Sequence, residues 1–435
     1  MMSATTATIR LGQLLRALLI GCLLCGNAGA ETLQQAWETA LSADRGLRAA
    51  RQNTAAASSL VQAAKAARLP GVSLEAGYTI LNNEPTTRVE LGGASQEFAV
   101  AERDSYAYRA MATLPLYTSG RIKNGIEASK AGLDAAGYGE AGEVQELKLR
   151  VAEAFTAVLR TTQGLAVANS HVAGLQAHAT DVQNLFDQGM VARNDLLAAQ
   201  VTLADARQQA IRAENAVDIT RAAYNRLLGR PLDQVVSLDE ITPETASDPL
   251  PAVTERALRQ RPELGALADQ IRALRHQASA VRAETGPQVV LTGGFGYQEN
   301  RYQVSPGQWS AALGVRWNLF DGGVANHRAA AVDRQAAALQ ERRDDLATVI
   351  ELQVRQAWLD IQETRKRVEV TRSAIAQAEE NLRVNRDRYS NGLTTNTEVL
   401  SAETLRLVSR NNHVNALYDA VLAGLRLKRA SGELL

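Results

Sequence analysis

FDQGMVARNDLLAAQ (186–200) and YSNGLTTNTEVLSAE (389–403) are two versions of one stretch. Each reads as the end of a long helix, a turn with a central glycine, and the start of another helix. Gly189 and Gly392 suit the left-handed conformation at a helix C-terminus, where a Cβ would clash. Asn194 or Asp195, and Thr397 or Glu398, are expected to open the next helix with side-chain oxygens near its unpaired N–H groups.

The two stretches belong to a longer repeat. A constant offset of 203 carries Phe186 onto Tyr389, Leu116 onto Leu319, Gly120 onto Gly323, Phe155 onto Trp358 and Gly229 onto Gly432. Rare residues match along with the common alanines, so the offset marks a duplicated structural unit. The expected organisation is a leader (1–30), a first repeat (31–230), a connector (231–251) and a second repeat (252–435). Four prolines and several Asp and Ser residues set the connector apart.

Composition narrows the class. The chain has 435 residues, with 47 basic and 47 acidic side chains that cancel. No net basic field exists to attract nucleic acid. Aromatics are 4% of residues and Ala, Gln, Arg and Leu are frequent, as in long helices with narrow packing seams. Arg10 and Arg16 precede the apolar run ALLIGCLLCG (17–26), and Ala28-Gly29-Ala30 offers a small-x-small cleavage site. Export with Glu31 as the mature N-terminus is expected. The competing reading takes Leu19–Cys22 as a lipobox with a lipidated Cys22. Both cysteines, Cys22 and Cys25, lie in this leader, which leaves the exported chain no disulfide or thiol chemistry.

Periodicity predicts the elements. A helix is expected over 31–67 and ends at Pro70 and Gly71. The period then switches to two over 72–81, with Val72, Leu74, Ala76, Tyr78 and Ile80 on one face. A polar loop (82–104) leads to a second strand, 105–117, which turns Tyr106, Tyr108, Ala110, Ala112, Leu114 and Leu116 to one side. The next helix runs from 120 to 188, roughly 100 Å, with Val144, Leu147, Val151, Phe155, Val158 and Leu159 on its seam. Another reaches Leu228, with Leu197, Ala204 and Ile211 at heptad spacing. The second repeat has a helix over 252–284, strands 288–297 and 309–320, a helix over 323–390 and a last helix to Ala430. There Leu400, Leu407, Val414 and Val421 keep the heptad.

Four strands with one apolar and one small or polar face match outer-membrane barrel strands. Four cannot close, and an open sheet edge in lipid leaves backbone groups unpaired. Copies must therefore share one barrel. Two copies give eight strands and a filled interior; three give twelve and a pore. Each repeat has one double-length helix and two of half length, so stacked halves match the long one. A pore reading favours three, and the expected fold class is then a mixed α and β membrane protein, internally duplicated, with a long α-helical coiled-coil barrel and four β-strands per chain contributing to a trimeric 12-stranded outer-membrane β-barrel.

LYTSGRIKNGIEASKA (116–131), its twin LFDGGVANHRAAA (319–331), the two glycine turns and RLKRASGEL (426–434) carry a resemblance. The chain resembles the TolC-type channels of the outer-membrane efflux protein family, over the whole mature length. The resemblance implies a homotrimer in outer-membrane lipid above a periplasmic helical tunnel. It implies docking with a periplasmic adaptor and an inner-membrane efflux pump or secretion ATPase. The function it implies is a passive exit duct for efflux or type I secretion. The alternative is a coiled-coil scaffold anchored in the outer membrane.

The resemblance also places periplasmic gate residues at the turns. Tyr389, Thr394, Glu398 and Ser401 stand where the family has them, with Phe186, Val191, Asp195 and Ala198 in the first turn. Gly189 and Gly392 mark the adaptor-docking tip. Glu398 stands where an Asp is expected, Ser401 replaces a second Asp, and Thr394 replaces an Arg. Capping by Asp195 and Glu398 is the structural alternative. No enzyme, cofactor or metal constellation is legible. The five histidines are scattered, and His171 and His178, seven apart on one helix face, read as solvated or seam residues. GGFG (293–296) lacks the following helix of a dinucleotide site.

Overall fold

The computed structural model describes residues 30–243 and 248–434. The leader and the lipobox at Cys22 lie outside the described residues, as does the cleavage site apart from Ala30. The chain divides into two compact units. The first takes the chain through Arg45, then Val144–Ala257, then Gln353 onward. The second takes Gly46–Glu143 and Leu258–Leu352.

The second unit carries the sheet. Strands β1 (Gly71–Ile80), β4 (Asp104–Tyr117), β5 (Gln288–Gln298) and β6 (Gly307–Arg316) form one antiparallel sheet in the order β1-β4-β5-β6. Registers place Glu75, Arg109, Gly296 and Gln308 in one row, and Ser73, Met111, Gly294 and Ser310 in the next. The opposite face has Leu74, Ala110, Phe295 and Trp309 in a row. Its Val72, Leu74, Trp309, Leu313 and Val315 are exposed. An aromatic band crosses all four strands on that face. Tyr78 and Tyr106 lie 4.6 Å apart, Tyr108 and Tyr297 4.9 Å, and Phe295 and Trp309 5.2 Å.

Several expectations are corrected here. The polar loop 82–104 contains a hairpin of its own, β2 (Thr86–Leu91) with β3 (Ala94–Ala99). Gly92 and Gly93 join them at φ 59° and 89°, the backbone of a two-residue hairpin turn that non-glycine residues resist. Leu116 leaves its expected face. A bulge between Pro115 and Tyr117 pairs Tyr117 with Val289 instead. The last strand stops at Arg316 rather than 320. Asp321 ends the connection by accepting hydrogen bonds from the Gly323 and Ala325 N–H groups at 2.8 and 2.9 Å.

Both first helices of the repeats are broken. The expected helix 31–67 divides into α1 (Leu33–Ala43) and α2 (Arg45–Ala66) around an extended Asp44, ψ 131°. Asp favours the non-helical position before a helix start. The expected helix 252–284 divides into α5 (Leu250–Gln260) and α6 (Pro262–Arg282) at Arg261, ψ 119°. Arg261 precedes a proline, whose ring disfavours helical backbone there.

The long helices α3 (Arg121–Asp187) and α7 (Val324–Ser390) have 67 residues each. They are followed by α4 (Arg193–Leu227) and α8 (Asn396–Ser431). In the first unit, Leu147, Val151, Phe155, Val158 and Leu159 of α3 are buried. Phe155 meets Tyr224 edge-on at 5.9 Å. Glu31 pairs in parallel with Leu238 and grips Arg230 with both carboxylate oxygens at 2.8 and 2.6 Å.

The α4 seam lies one residue before the expected one. Leu196, Ala199, Leu203 and Ala206 are buried, whereas Leu197 and Ile211 are exposed. On α8 the buried line is Val399, Ala402, Ser409 and Ala416; Leu400, Leu407 and Val414 are half-buried beside it. The spacing of three and four is that of a coiled-coil seam.

Candidate functional site: the two helical turns

The two turns share one backbone geometry. Gly189 has φ 71°, and so has Gly392. The Met190 N–H donates to the Leu185 carbonyl at 2.8 Å, and Leu393 to Arg388 at 2.8 Å. Gly189 and Gly392 donate to Phe186 and Tyr389 at 2.8 and 3.0 Å. These paired bonds satisfy the last carbonyls of α3 and α7, and the left-handed glycine makes them reachable.

The helices after the turns open without the expected caps. The N-cap residues are Ala192 and Thr395, and neither makes a side-chain cap hydrogen bond. Asn194 and Thr397 lie at the second helical position, Asp195 and Glu398 at the third. The two carboxylates act there as first-turn charges on the positive helix end.

The residues divide between a buried cluster and a solvent face. Phe186 packs with Leu185, Val191 and Leu400 on a core that includes Leu196, Leu382, Tyr389 and Val399. Tyr389 is 9% exposed, and its hydroxyl is buried with no hydrogen-bond partner. Burial raises its pKa, and the Asp195 charge adds to this. Asp195 and Thr394 are half-buried, whereas Glu398, Ser401 and Ala198 are exposed. Met190 and Leu393, 203 apart, project from the turns at 65% and 67% exposure.

One residue that sequence reading passed over joins the turns. Asn396 is buried, and its Nδ2 donates to the Asp195 carbonyl at 3.0 Å. Its Oδ1 is thereby left to accept, and His178 Nε2 lies 2.7 Å from it. The imidazole is therefore the tautomer with its proton on Nε2. His178 also packs against the Tyr389 ring at 5.6 Å.

A second cluster was also missed. The Glu403 side chain is 0% exposed. It pairs with Arg386, and with Arg406 at 2.9 Å. His171 Nδ1 stands 3.8 Å away. Arg386 Nη2 also donates to the Gly174 carbonyl at 3.2 Å, and Arg406 Nη2 to that of Ser170 at 3.4 Å. Helical spacing showed the two histidines on one face, but their partners come from α7 and α8. A seam placed one residue earlier would have put Arg406 on it and exposed the conflict.

Acid should destabilise the folded chain in two steps. Burial lowers the His178 pKa below its usual 6.5 and does the same for His413. As pH falls through about 6.5, the unfolded chain binds protons that the folded chain resists, and stability drops. Burial pushes Glu403 up, but His171, Arg406 and Arg386 outweigh it and hold it below 4.5. Its stabilisation is complete above about 4.5 and is lost as pH falls through the lowered folded value. Thermal midpoints across this range should show both steps. His178→Gln keeps an N–H donor for Asn396 and should shrink the first step; an unchanged first step would remove His178 from this account.

Residues 36–230 and 253–433 match the profile of the family described as Outer membrane efflux protein. The chain belongs to that family. Its fold is the mixed α and β one of these outer-membrane channels, with a periplasmic helical extension, and its relatives are transport ducts rather than enzymes. Protein CyaE of Bordetella pertussis is 30% identical over 416 residues, covering 92% of this chain and 84% of CyaE. Alkaline protease secretion protein AprF of Pseudomonas aeruginosa is 25% identical over 67% of this chain, but the match spans only 62% of AprF. The outer-membrane channel OprN has a similar structure, with TM-score 0.78 and 20% identity over 92% of this chain and 89% of OprN. At that identity the likeness concerns the fold. This family member is thus an outer-membrane exit duct for efflux or secretion.

Proposed function

We propose that three copies of this chain form a passive duct that receives cargo from an inner-membrane transporter through a periplasmic adaptor. The observation that carries this reading is the two-faced, open sheet. Its β1 and β6 edges are unpaired among the described residues. One face is apolar and bare; the other mixes the small Ser73, Gly77, Gly294, Gly296, Ser310 and Gly314 with the polar Glu75, Arg109 and Gln308 and with Met111. Sharing strands among three copies removes the edges, puts the apolar face in lipid and turns the mostly polar face to a twelve-stranded bore wide enough to stay open. A scaffold anchored by a barrel has no need of an unobstructed polar face.

In this reading the chain is a repeat, 31–230 and 252–435, joined by the 231–251 connector. The helical turns form the closed end, and the exposed Met190 and Leu393 offer the adaptor an apolar seat. Threefold repetition turns Asp195 and Glu398 into acidic rings, with Phe186, Tyr389, Thr394 and Ser401 around them. No energy source of its own is needed, because the transporter drives the cargo.

The purified protein should cross-link in mild detergent to three chain masses and form cation-selective pores in planar bilayers. Multivalent cations should block them at the acidic rings. Asp195→Ala with Glu398→Ala should weaken that block about tenfold, equivalent to ~1.4 kcal/mol. If selectivity and block stay unchanged, the acidic gate is wrong. A stable monomer would sink the shared barrel.

A further inference from the structure

The polar face of the four-stranded sheet carries almost no charge. Side chains alternate between faces along a strand. On the face that holds Ser73 and Ser310, the registers place charge at Glu75, Arg109 and Arg316 only. Arg316 is the last residue of β6. It stands eight residues from Gln308, roughly 26 Å along the strand. Exposed charges are largely screened beyond about 8 Å at physiological ionic strength, so Arg316 acts apart from the other two.

Glu75 and Arg109 stand together. They are register partners on the neighbouring strands β1 and β4, where opposed Cβ atoms lie about 5 Å apart. Among the described residues, neither side chain has an ion-pair or hydrogen-bond partner. Both are exposed, on the wall of a concavity of about 800 Å³ that Gln298, Gln303, Gln308 and Ser310 also line. Beyond Arg109 the row continues with Gly296, where a Cβ would meet nothing within 4 Å. The guanidinium therefore borders open space on that side. Pairing of exposed charges gains little, so both groups stay available to whatever passes.

Threefold repetition makes this row a belt of three acids and three bases. Its net charge is zero, and each sign sits beside its opposite. A passing group of either sign meets attraction and repulsion together. We propose that Glu75 and Arg109 are the specificity-determining residues of the duct's barrel. Balanced against each other, they leave the barrel indifferent to the sign of its cargo; either one alone would impose a sign. The inference rests on the duct reading, in which this face lines the bore. It leaves sign selection to the acidic rings at the helical turns and gives the barrel none.

A thiol placed beside Arg109 reads the local field. Gly296→Cys in the full-length protein, reconstituted in lipid vesicles, supplies it. The native cysteines lie in the leader, and the unsubstituted protein gives the blank. The readout is the ratio of labelling rates by a sulfonate-bearing and a trimethylammonium-bearing methanethiosulfonate. Adding Glu75→Gln should raise this ratio about threefold or more, since the bases are left unopposed. Adding Arg109→Gln should lower it by a similar factor, and adding both should restore it. Neither side chain has a partner to lose, so all three variants should assemble. In planar bilayers across a dilute potassium chloride gradient, Glu75→Gln should move the reversal potential towards that of chloride, and Arg109→Gln towards that of potassium. Labelling ratios that neither substitution moves overturn the belt. Shifted ratios with unmoved reversal potentials overturn its part in selection and leave the duct reading standing. A Gly296→Cys thiol that neither reagent reaches in the inserted protein overturns the bore face of the duct reading, and the belt with it.

Discussion

Gly294→Ala should remove most of the assembled protein from the outer membrane, while Gly296→Ala, two residues along the same face of β5, should leave it in place. A Cβ on Gly294 would lie 2.2 Å from the Ala110 carbonyl oxygen, 2.5 Å from Met111 Sδ and 3.0 Å from Met111 Cα. Two of these are backbone atoms, which cannot rotate aside. The β4–β5 pairing must shift to make room, and that pair is the centre of the four-stranded sheet. Overpacking of this kind costs about 1–3 kcal/mol or more when the neighbours cannot yield. A Cβ on Gly296 meets nothing within 4 Å. The amount of each variant recovered in outer-membrane fractions separates the two. Normal yield from Gly294→Ala would mean that β4 and β5 do not approach as described.

Phe155→Ala should be the most damaging single truncation in the helical unit. The ring is fully buried and meets Tyr224, itself fully buried, edge to face. Removing it leaves a cavity and loses the ring contact, at a cost of about 3–5 kcal/mol. Trp358, at the position 203 later, is only half-buried, and its indole N–H donates to the Asp248 carbonyl at 3.2 Å. Trp358→Ala should cost about 1 kcal/mol, the scale of one hydrogen bond in a wet setting. Denaturant midpoints for the two variants give the comparison. Equal losses would show that the two positions bear the same load.

The sheet was legible because alternation is a strong signal. In β1 and β6 every second residue is apolar, and only one register buries that set in lipid. The seam on α4 was not, because two apolar stripes run side by side there. Leu197 and Ile211 fit a heptad as well as Leu196 and Leu203 do, and only neighbouring helices decide between them. The β2–β3 hairpin was readable from Gly-Gly between two alternating stretches, but the polarity of 82–104 suggested a plain loop. The break at Arg261 was readable from Pro262. At the turns, the left-handed glycines were visible from sequence alone, but the helix starts were misplaced: the caps are Ala192 and Thr395, which leaves Asp195 and Glu398 inside the first turn. Asn396 and Glu403 were not, since their roles come from helices distant in the chain. Spacing along one helix carries no information about a partner on another.

The Gly92-Gly93 turn also makes a place to write new sequence. Both glycines have open space where a side chain would project, and their hairpin forms a sheet separate from the four-stranded one. It replaces a shorter connection in the second half, so the four strands are held without its help. A peptide spliced between the two glycines would extend a protrusion and leave the strand registers beneath it alone. In the proposed duct, such a graft would be a handle on the cell's exterior, open to antibodies or dyes added to living cultures, for following where ducts are installed and how long they persist.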